Sequence, residues 1–176
     1  MEPKLPKNNY ELVKFLTKIP GKIISLHGRE NITEFVLHDL SGKSCFNFSK
    51  ASYFVDNPDF NHLKGIAGYV HTQAFENSDA IWHNPDQFSR HMLGAPFNKK
   101  VRNVLRPSPK KGCMEAQAIV DAVAQELEMN NPQFYCWDMK HYNHGLFVYE
   151  TNNEQAEWNS EDLLSSLHLL SLCPIF

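Results

Sequence analysis

The sequence feature that most constrains the fold is a helix pattern in Met114–Met129, which follows a stretch that cannot be helical. Apolar residues recur at the three- and four-residue spacing of one helix face, at Ala116, Ile119, Val120, Val123, Ala124 and Leu127. The preceding segment, Arg106–Gly112, contains two prolines, which remove backbone donors and clash with the turn before them, so it is predicted to be a loop. A helix with one apolar face has to pack against a second layer, which the rest of the chain must supply.

That second layer is predicted to be a sheet. Segments rich in Ile, Val and Phe and bounded by turn residues are predicted to be strands: Lys22–Leu26, Ile32–His38, Ser44–Phe48 and Gly65–His71 in the first half, Phe134–Trp137 and Leu146–Tyr149 in the second. The links between them are short, whereas a parallel pair needs a crossover of about a dozen residues or more. Antiparallel pairing is therefore expected.

Further helices are predicted at the N-terminus, in the middle and at the C-terminus. An apolar stripe precedes Pro20-Gly21, short helices are expected over Gln87–Leu93 and after Pro96, and Asn159 or Ser160 can cap a leucine-rich helix. The prediction is one α+β domain spanning residues 1–176. Its antiparallel sheet has about five or six strands, with N-terminal, middle and C-terminal helices.

The composition indicates the cellular compartment in which the chain is expected to reside. No window approaches the roughly 20 apolar residues of a membrane-spanning helix, and Met1–Lys7 has no apolar core of signal-peptide length. The four cysteines are scattered and none forms a Cys-x-x-Cys pair. We therefore expect a cytoplasmic protein with free thiols and no membrane partner.

Charge is distributed unevenly along the chain, although the net charge is only −3. Residues 87–111 carry seven Lys or Arg and no acid, whereas residues 112–176 carry Lys140 alone against ten acids. The seven basic residues are Arg90, Lys99, Lys100, Arg102, Arg106, Lys110 and Lys111. Such a segment attracts anions. The first functional hypothesis is therefore a binding protein that uses residues 90–111 to contact an anionic ligand or an acidic protein partner. Nucleic acid is possible but not favoured, because aromatic residues for base stacking are few.

A second hypothesis rests on Cys113, which opens the predicted Met114–Met129 helix. Backbone N–H groups at a helix N-terminus stabilise an anion, and Lys110 and Lys111 add positive charge, so the pKa of this thiol should be lowered. Downstream, His144 begins a predicted strand.

A cysteine at the start of a helix followed by a histidine at the head of a strand resembles the order in papain-like and transglutaminase-like thiol enzymes. The resemblance implies a nucleophilic Cys113, with His144 as its base and Asp138, Glu150 or Asp162 as the group that orients the imidazole.

Nine histidines suggest a third hypothesis, a metal- or haem-binding protein. Asp138, His141 and His144 are spaced by three residues, and His71 or His83 could add a further ligand. That spacing falls in a predicted turn, where it does not force the side chains to converge, so we expect no metal and no haem cofactor. Glycine-rich phosphate loops and the Gly-x-Ser-x-Gly motif are also absent from the sequence.

Overall fold

The computed structural model describes residues 7–76, 80–109, 116–152 and 158–175. Helices and strands follow one another in the order α1 (Lys7–Leu16), α2 (Ile19–Ser25), α3 (Ile32–Ser41), β1 (Phe48–Asn57), β2 (His62–Val70), α4 (Pro85–Gly94), α5 (Pro96–Arg102), β3 (Leu105–Arg106), α6 (Ala116–Glu126), β4 (Gln133–Asp138), β5 (His144–Thr151) and α7 (Ser160–Leu167). Short 3-10 turns occupy His71–Gln73, Lys140–Tyr142 and His168–Leu172.

The strands form one antiparallel sheet in the order β3-β2-β1-β5-β4. Hairpins join β1 to β2 and β4 to β5, and β1 pairs with β5 in the middle of the sheet, although the two lie far apart in the sequence. The expected α+β fold with an antiparallel sheet is confirmed.

Helices cover both faces of this sheet. On one face, α2, α3 and α7 pack against a cluster that contains Tyr53, Phe147 and Tyr149. On the other face, α5 and α6 pack against Phe54 and Val148. Helix α4 packs on the outer side of α3, through Phe88 and Met92 against Phe35. The alternation of side chains along each strand therefore supplies two separate apolar layers.

Strand β2 contains a bulge that lets α5 approach unusually closely. The register shifts between Tyr53 and Phe54, which face Ala67 and Gly65, so Ile66 is an extra residue on β2. In a regular strand Gly65 and Gly68 would point to opposite faces, but here a Cβ on either would meet Val101 of α5. The bulge thus turns two glycines towards the same helix.

Two predicted strands are helices instead. Lys22–Leu26 lies largely in α2, and Ile32–His38 lies in α3. Every residue from Ile32 to Ser41 is buried, because α3 is packed between the sheet and α4. Its polar residues are buried together with its apolar ones, so the sequence shows no clear amphipathic stripe, and its β-branched residues favour a strand.

The predicted strand Ser44–Phe48 is also wrong, since residues 43–46 form turns and β1 begins at Phe48. The prediction missed β1 itself, the central strand. The other predicted elements are confirmed where the structure describes them, namely β2, β4, β5, α4, α5, α6 and α7. The N-terminal helix is also present, but α1 ends at Leu16, and Pro20-Gly21, which was predicted to close that helix, lies inside α2. Asn159 caps α7 as expected, because its side chain accepts a hydrogen bond from the Glu161 N–H.

Among the described residues, no helix is both long and apolar enough to cross a membrane. The expectation of free thiols is correct for Cys45 and Cys173 but wrong for Cys136, which is disulfide-bonded.

Candidate functional site

Three titratable residues meet side by side at one end of the sheet. Asp56 is the next-to-last residue of β1, His144 begins β5 and Asp138 ends β4. His144 pairs directly with both carboxylate residues in the strand register. Residues directly opposite each other on neighbouring strands point to the same face, with Cβ atoms roughly 5 Å apart. The row therefore places an imidazole between two carboxylates, on the face covered by α5 and α6.

Asp56 is the buried member of this row. It is 2% exposed, and its Oδ1 accepts no hydrogen bond from any described residue. Its Oδ2 lies 3.3 Å from Nδ1 of His144. A buried carboxylate is costly unless a donor or a positive charge compensates it. The imidazole of His144 supplies that compensation.

The contact with Asp56 determines which nitrogen of His144 is free to act as a base. An ionised carboxylate only accepts hydrogen bonds, so Nδ1 carries the proton in the neutral ring and Nε2 keeps its lone pair. Nε2 lies 3.5 Å from Oδ1 of Asp138, whose side chain is 89% exposed. The imidazole is thus held from the buried side and can take up a proton on the open side.

A small cavity of about 20 Å³ adjoins this row. Asp56, His144 and Cys136 line it, together with Pro109 and Ala116. Pro109 and Ala116 are the described residues on either side of segment 110–115. The cavity therefore lies between the sheet and the start of α6.

The structure brings together only part of the predicted thiol site. Asp138 and His144 are neighbours as expected, whereas Cys113 lies outside the described residues. Glu150 instead accepts hydrogen bonds from the backbone N–H groups of Asn130 and Asn131, and Asp162 lies in the first turn of α7. Sequence reasoning missed Asp56, because no local motif marks its pairing with a histidine 88 residues away.

The turn that joins β4 to β5 has an unfavourable backbone. His141 and Tyr142 both have positive φ angles, near 60°, a region that favours glycine and asparagine. Both side chains are exposed, so packing does not explain the conformation. The turn sets the register in which Asp138 lies opposite His144.

Three of the five described basic residues in the predicted anion site form ion pairs. Lys100 lies 2.7 Å from Glu128, Arg106 lies 2.6 Å from Glu126, and Arg102 lies 3.1 Å from the buried Glu34. Arg90 and Lys99 are exposed and contact no carboxylate among the described residues. Lys110 and Lys111 lie outside the described residues. Carboxylates therefore neutralise three of the basic side chains that the sequence predicted would bind an anion.

The predicted metal ligands are not gathered into one group. His141 lies at the exposed tip of the turn, away from the contacts that Asp138 makes with His144. Across the described part of the chain, no three or more His, Cys, Asp or Glu side chains are arranged to hold a metal ion.

No protein-family model and no curated protein matches this sequence.

Proposed function

We propose that this protein is a thiol enzyme in which His144 is the general base and Asp56 orients its imidazole. The observation that carries the proposal is the 3.3 Å contact between Nδ1 of His144 and the buried carboxylate of Asp56. A buried acid orients one ring nitrogen, and the other nitrogen lies on the exposed side, 3.5 Å from the Asp138 carboxylate. Nucleophilic catalysis requires a base that is held in this way.

The nucleophile in this proposal is Cys113, as the sequence suggests. Cys113 stands three residues before Ala116 in the sequence, and Ala116 lines the same cavity as His144. In the reaction that the thiol-enzyme resemblance implies, the thiolate attacks a carbonyl carbon and the bond to the leaving amine or alcohol breaks. His144 returns the thiol proton to that leaving group, and water or an amine then releases the acyl group from sulfur.

The proposal is tested by the rate of iodoacetamide alkylation at each cysteine, measured by peptide mass spectrometry from pH 5 to pH 9. The protein is first reduced, because Cys136 is disulfide-bonded and the assay compares all cysteines as free thiols. We expect Cys113 to react at pH 6 at least about tenfold faster than a free cysteine peptide, and His144→Ala to abolish the difference. Asp56→Asn should also lower the alkylation rate of Cys113.

Cys45 and Cys173 are internal references for this experiment. Burial raises the pKa of Cys45 well above its ordinary value and that of Cys173 to about 12, so both should react slowly. His83→Ala, at an exposed histidine, is the matched control. If His144→Ala lowers the free energy of unfolding and leaves Cys113 reactivity unchanged, the Asp56–His144 pair is structural and the proposal is wrong.

A second candidate function uses the exposed charges of Arg90 and Lys99 to bind an anionic ligand or an acidic protein. It is favoured by their lack of a carboxylate partner among the described residues. Retention on a heparin column should then fall with salt and should drop in Arg90→Glu and Lys99→Glu. It should not drop in Lys64→Glu, at an exposed lysine on β2. Absence of retention at low salt would exclude this function, and stronger retention on DNA than on heparin would identify nucleic acid as the partner.

A further inference from the structure

A second cavity, of about 310 Å³, lies far along the sheet from the Asp56–His144–Asp138 row and shares no residue with it. The C-terminal end of α3, the turn after it, the end of β2 and the segment that follows β2 surround this cavity. Its volume is at the lower end of the range for small-molecule sites, which is roughly 300–1,000 Å³. It can therefore enclose a molecule built around a single ring.

Three aromatic side chains contribute to the cavity wall. Phe15, Tyr69 and Phe75 all line it. Aromatic faces and edges bind flat apolar groups well, because they bury a large area and favour offset or edge-to-face contact with another ring. The wall therefore favours a ligand with an aromatic ring.

His38 supplies a buried polar group at the same cavity. Its Nε2 accepts a hydrogen bond from the Phe75 N–H at 3.1 Å, so the proton of the neutral ring is on Nδ1. His38 is 3% exposed, and Nδ1 donates to no described residue. Burial, and the neighbouring His91, lower the pKa of His38 to about 4, so the ring is neutral at physiological pH. Nδ1 has almost no accessible surface, so the neutral ring adds neither a charge nor a reachable donor to the cavity wall.

The positive and negative charges around the cavity largely cancel. Asp39 in the wall is bound by Lys22 at 3.0 Å and by the Trp82 indole N–H at 2.7 Å. Lys43 and Glu76, both exposed, lie at the cavity with opposite charges. A charged ligand would meet no excess of the opposite charge, and an uncharged ligand loses much less free energy than a charged one on leaving water.

We propose that this cavity binds a small, uncharged aromatic molecule. The site is independent of the proposed thiol chemistry, because neither Asp56 nor His144 contributes to it.

The test uses three probes that share a ring and differ in charge, namely benzamide, benzoate and benzylamine. Binding to the full-length protein is followed by saturation-transfer NMR and by titration of tryptophan fluorescence. Trp82 is a suitable reporter, because its indole N–H donates a hydrogen bond to Asp39 in the cavity wall. We expect benzamide to bind with a dissociation constant on the order of 1 mM, as befits so small a molecule, and the two charged probes to bind about tenfold more weakly.

Ala74→Leu adds bulk at a residue that lines the cavity and should abolish benzamide binding. Ala118→Leu, at an exposed position on α6, is the matched control and should bind as the wild type does. If Ala74→Leu does not fold, intermolecular NOEs from benzamide to the Ala74 methyl group of the wild-type protein replace it. The proposal is overturned if benzamide fails to bind at about 10 mM, if all three probes bind equally, or if neither Ala74 experiment places benzamide in the cavity.

Discussion

His38 should make the stability of this protein depend on pH. Its pKa is lowered to about 4 in the folded protein, from 6.5 in the unfolded chain. As the pH falls below 6.5, the unfolded chain takes up a proton first, so stability decreases until about pH 4 and this group contributes no further loss below that. By pH 5 the loss should be about 2 kcal/mol.

Urea denaturation of wild type and His38→Gln at pH 7.5 and pH 5 measures this contribution. The decrease between the two pH values should be about 2 kcal/mol smaller in His38→Gln than in wild type. His83→Gln, at an exposed histidine, should retain the full decrease. Equal pH dependence in wild type and His38→Gln would show that His38 is not held neutral by burial.

The turn at His141 and Tyr142 should be easy to stabilise. Asparagine and glycine tolerate positive φ angles and are preferred in two-residue hairpin turns, so His141→Asn with Tyr142→Gly should raise the free energy of unfolding by about 1–2 kcal/mol. Asn61→Gly, at another positive φ angle that asparagine already tolerates, should change it far less. Urea denaturation at neutral pH makes the comparison. A double variant no more stable than wild type would mean that the turn is not strained.

At the scale of secondary-structure elements, the contact between α5 and β2 depends on glycine. A Cβ on Gly65 would lie 1.8 Å from the carbonyl oxygen of Val101, and backbone cannot move aside as a side chain can. Gly65→Ala should therefore destabilise the protein by more than about 3 kcal/mol or prevent folding.

Gly21→Ala is the matched control for that variant. Gly21 lies inside α2 and a Cβ there meets no atom within 4 Å, so alanine should stabilise the helix by about 0.5–1 kcal/mol. Thermal unfolding followed by circular dichroism distinguishes the two outcomes. If Gly65→Ala unfolds at the wild-type temperature, α5 does not pack against β2 as closely as the structure shows.

The elements that the sequence predicted correctly carry local signals. Proline at the start of α4 and α5, Asn159 before α7 and the amphipathic pattern of α6 each determine structure within a few residues. Helix α3 has no such signal, because its polar residues are buried along with its apolar ones and no exposed face marks it as a helix. Tertiary packing decides that its β-branched residues are helical, and no short window of sequence contains that packing.

For the candidate site, the sequence could predict the neighbours across a hairpin but not those across the sheet. Asp138 and His144 are joined by a short turn, which brings them together whatever the rest of the fold does. Asp56 reaches His144 only because β1 lies beside β5, and that order depends on how two distant hairpins pair. The ion pairs of Lys100, Arg102 and Arg106 are equally non-local. The sequence therefore did not reveal that carboxylates distant along the chain neutralise part of the basic segment.

At the scale of the whole molecule, the sheet order predicts which backbone opens last. Strands β1 and β5 have a hydrogen-bonded neighbour on each side, whereas β4 is an edge strand. Hydrogen–deuterium exchange followed by mass spectrometry should therefore find the slowest amides in β1 and β5 and faster exchange in β4. If β4 exchanged as slowly as β1, its outer edge would have to be covered in solution.

The bulge at Ile66 limits how the chain can change in length. Removing one residue from β2 would restore regular alternation and rotate either Gly65 or Gly68 away from α5, so a side chain would take its place against Val101. The turn of residues 58–61, by contrast, is largely exposed and can accept extra residues without altering that alternation. Insertions and deletions that survive in relatives of this chain, or in a library made from it, should therefore accumulate in that turn and spare the neighbouring strand.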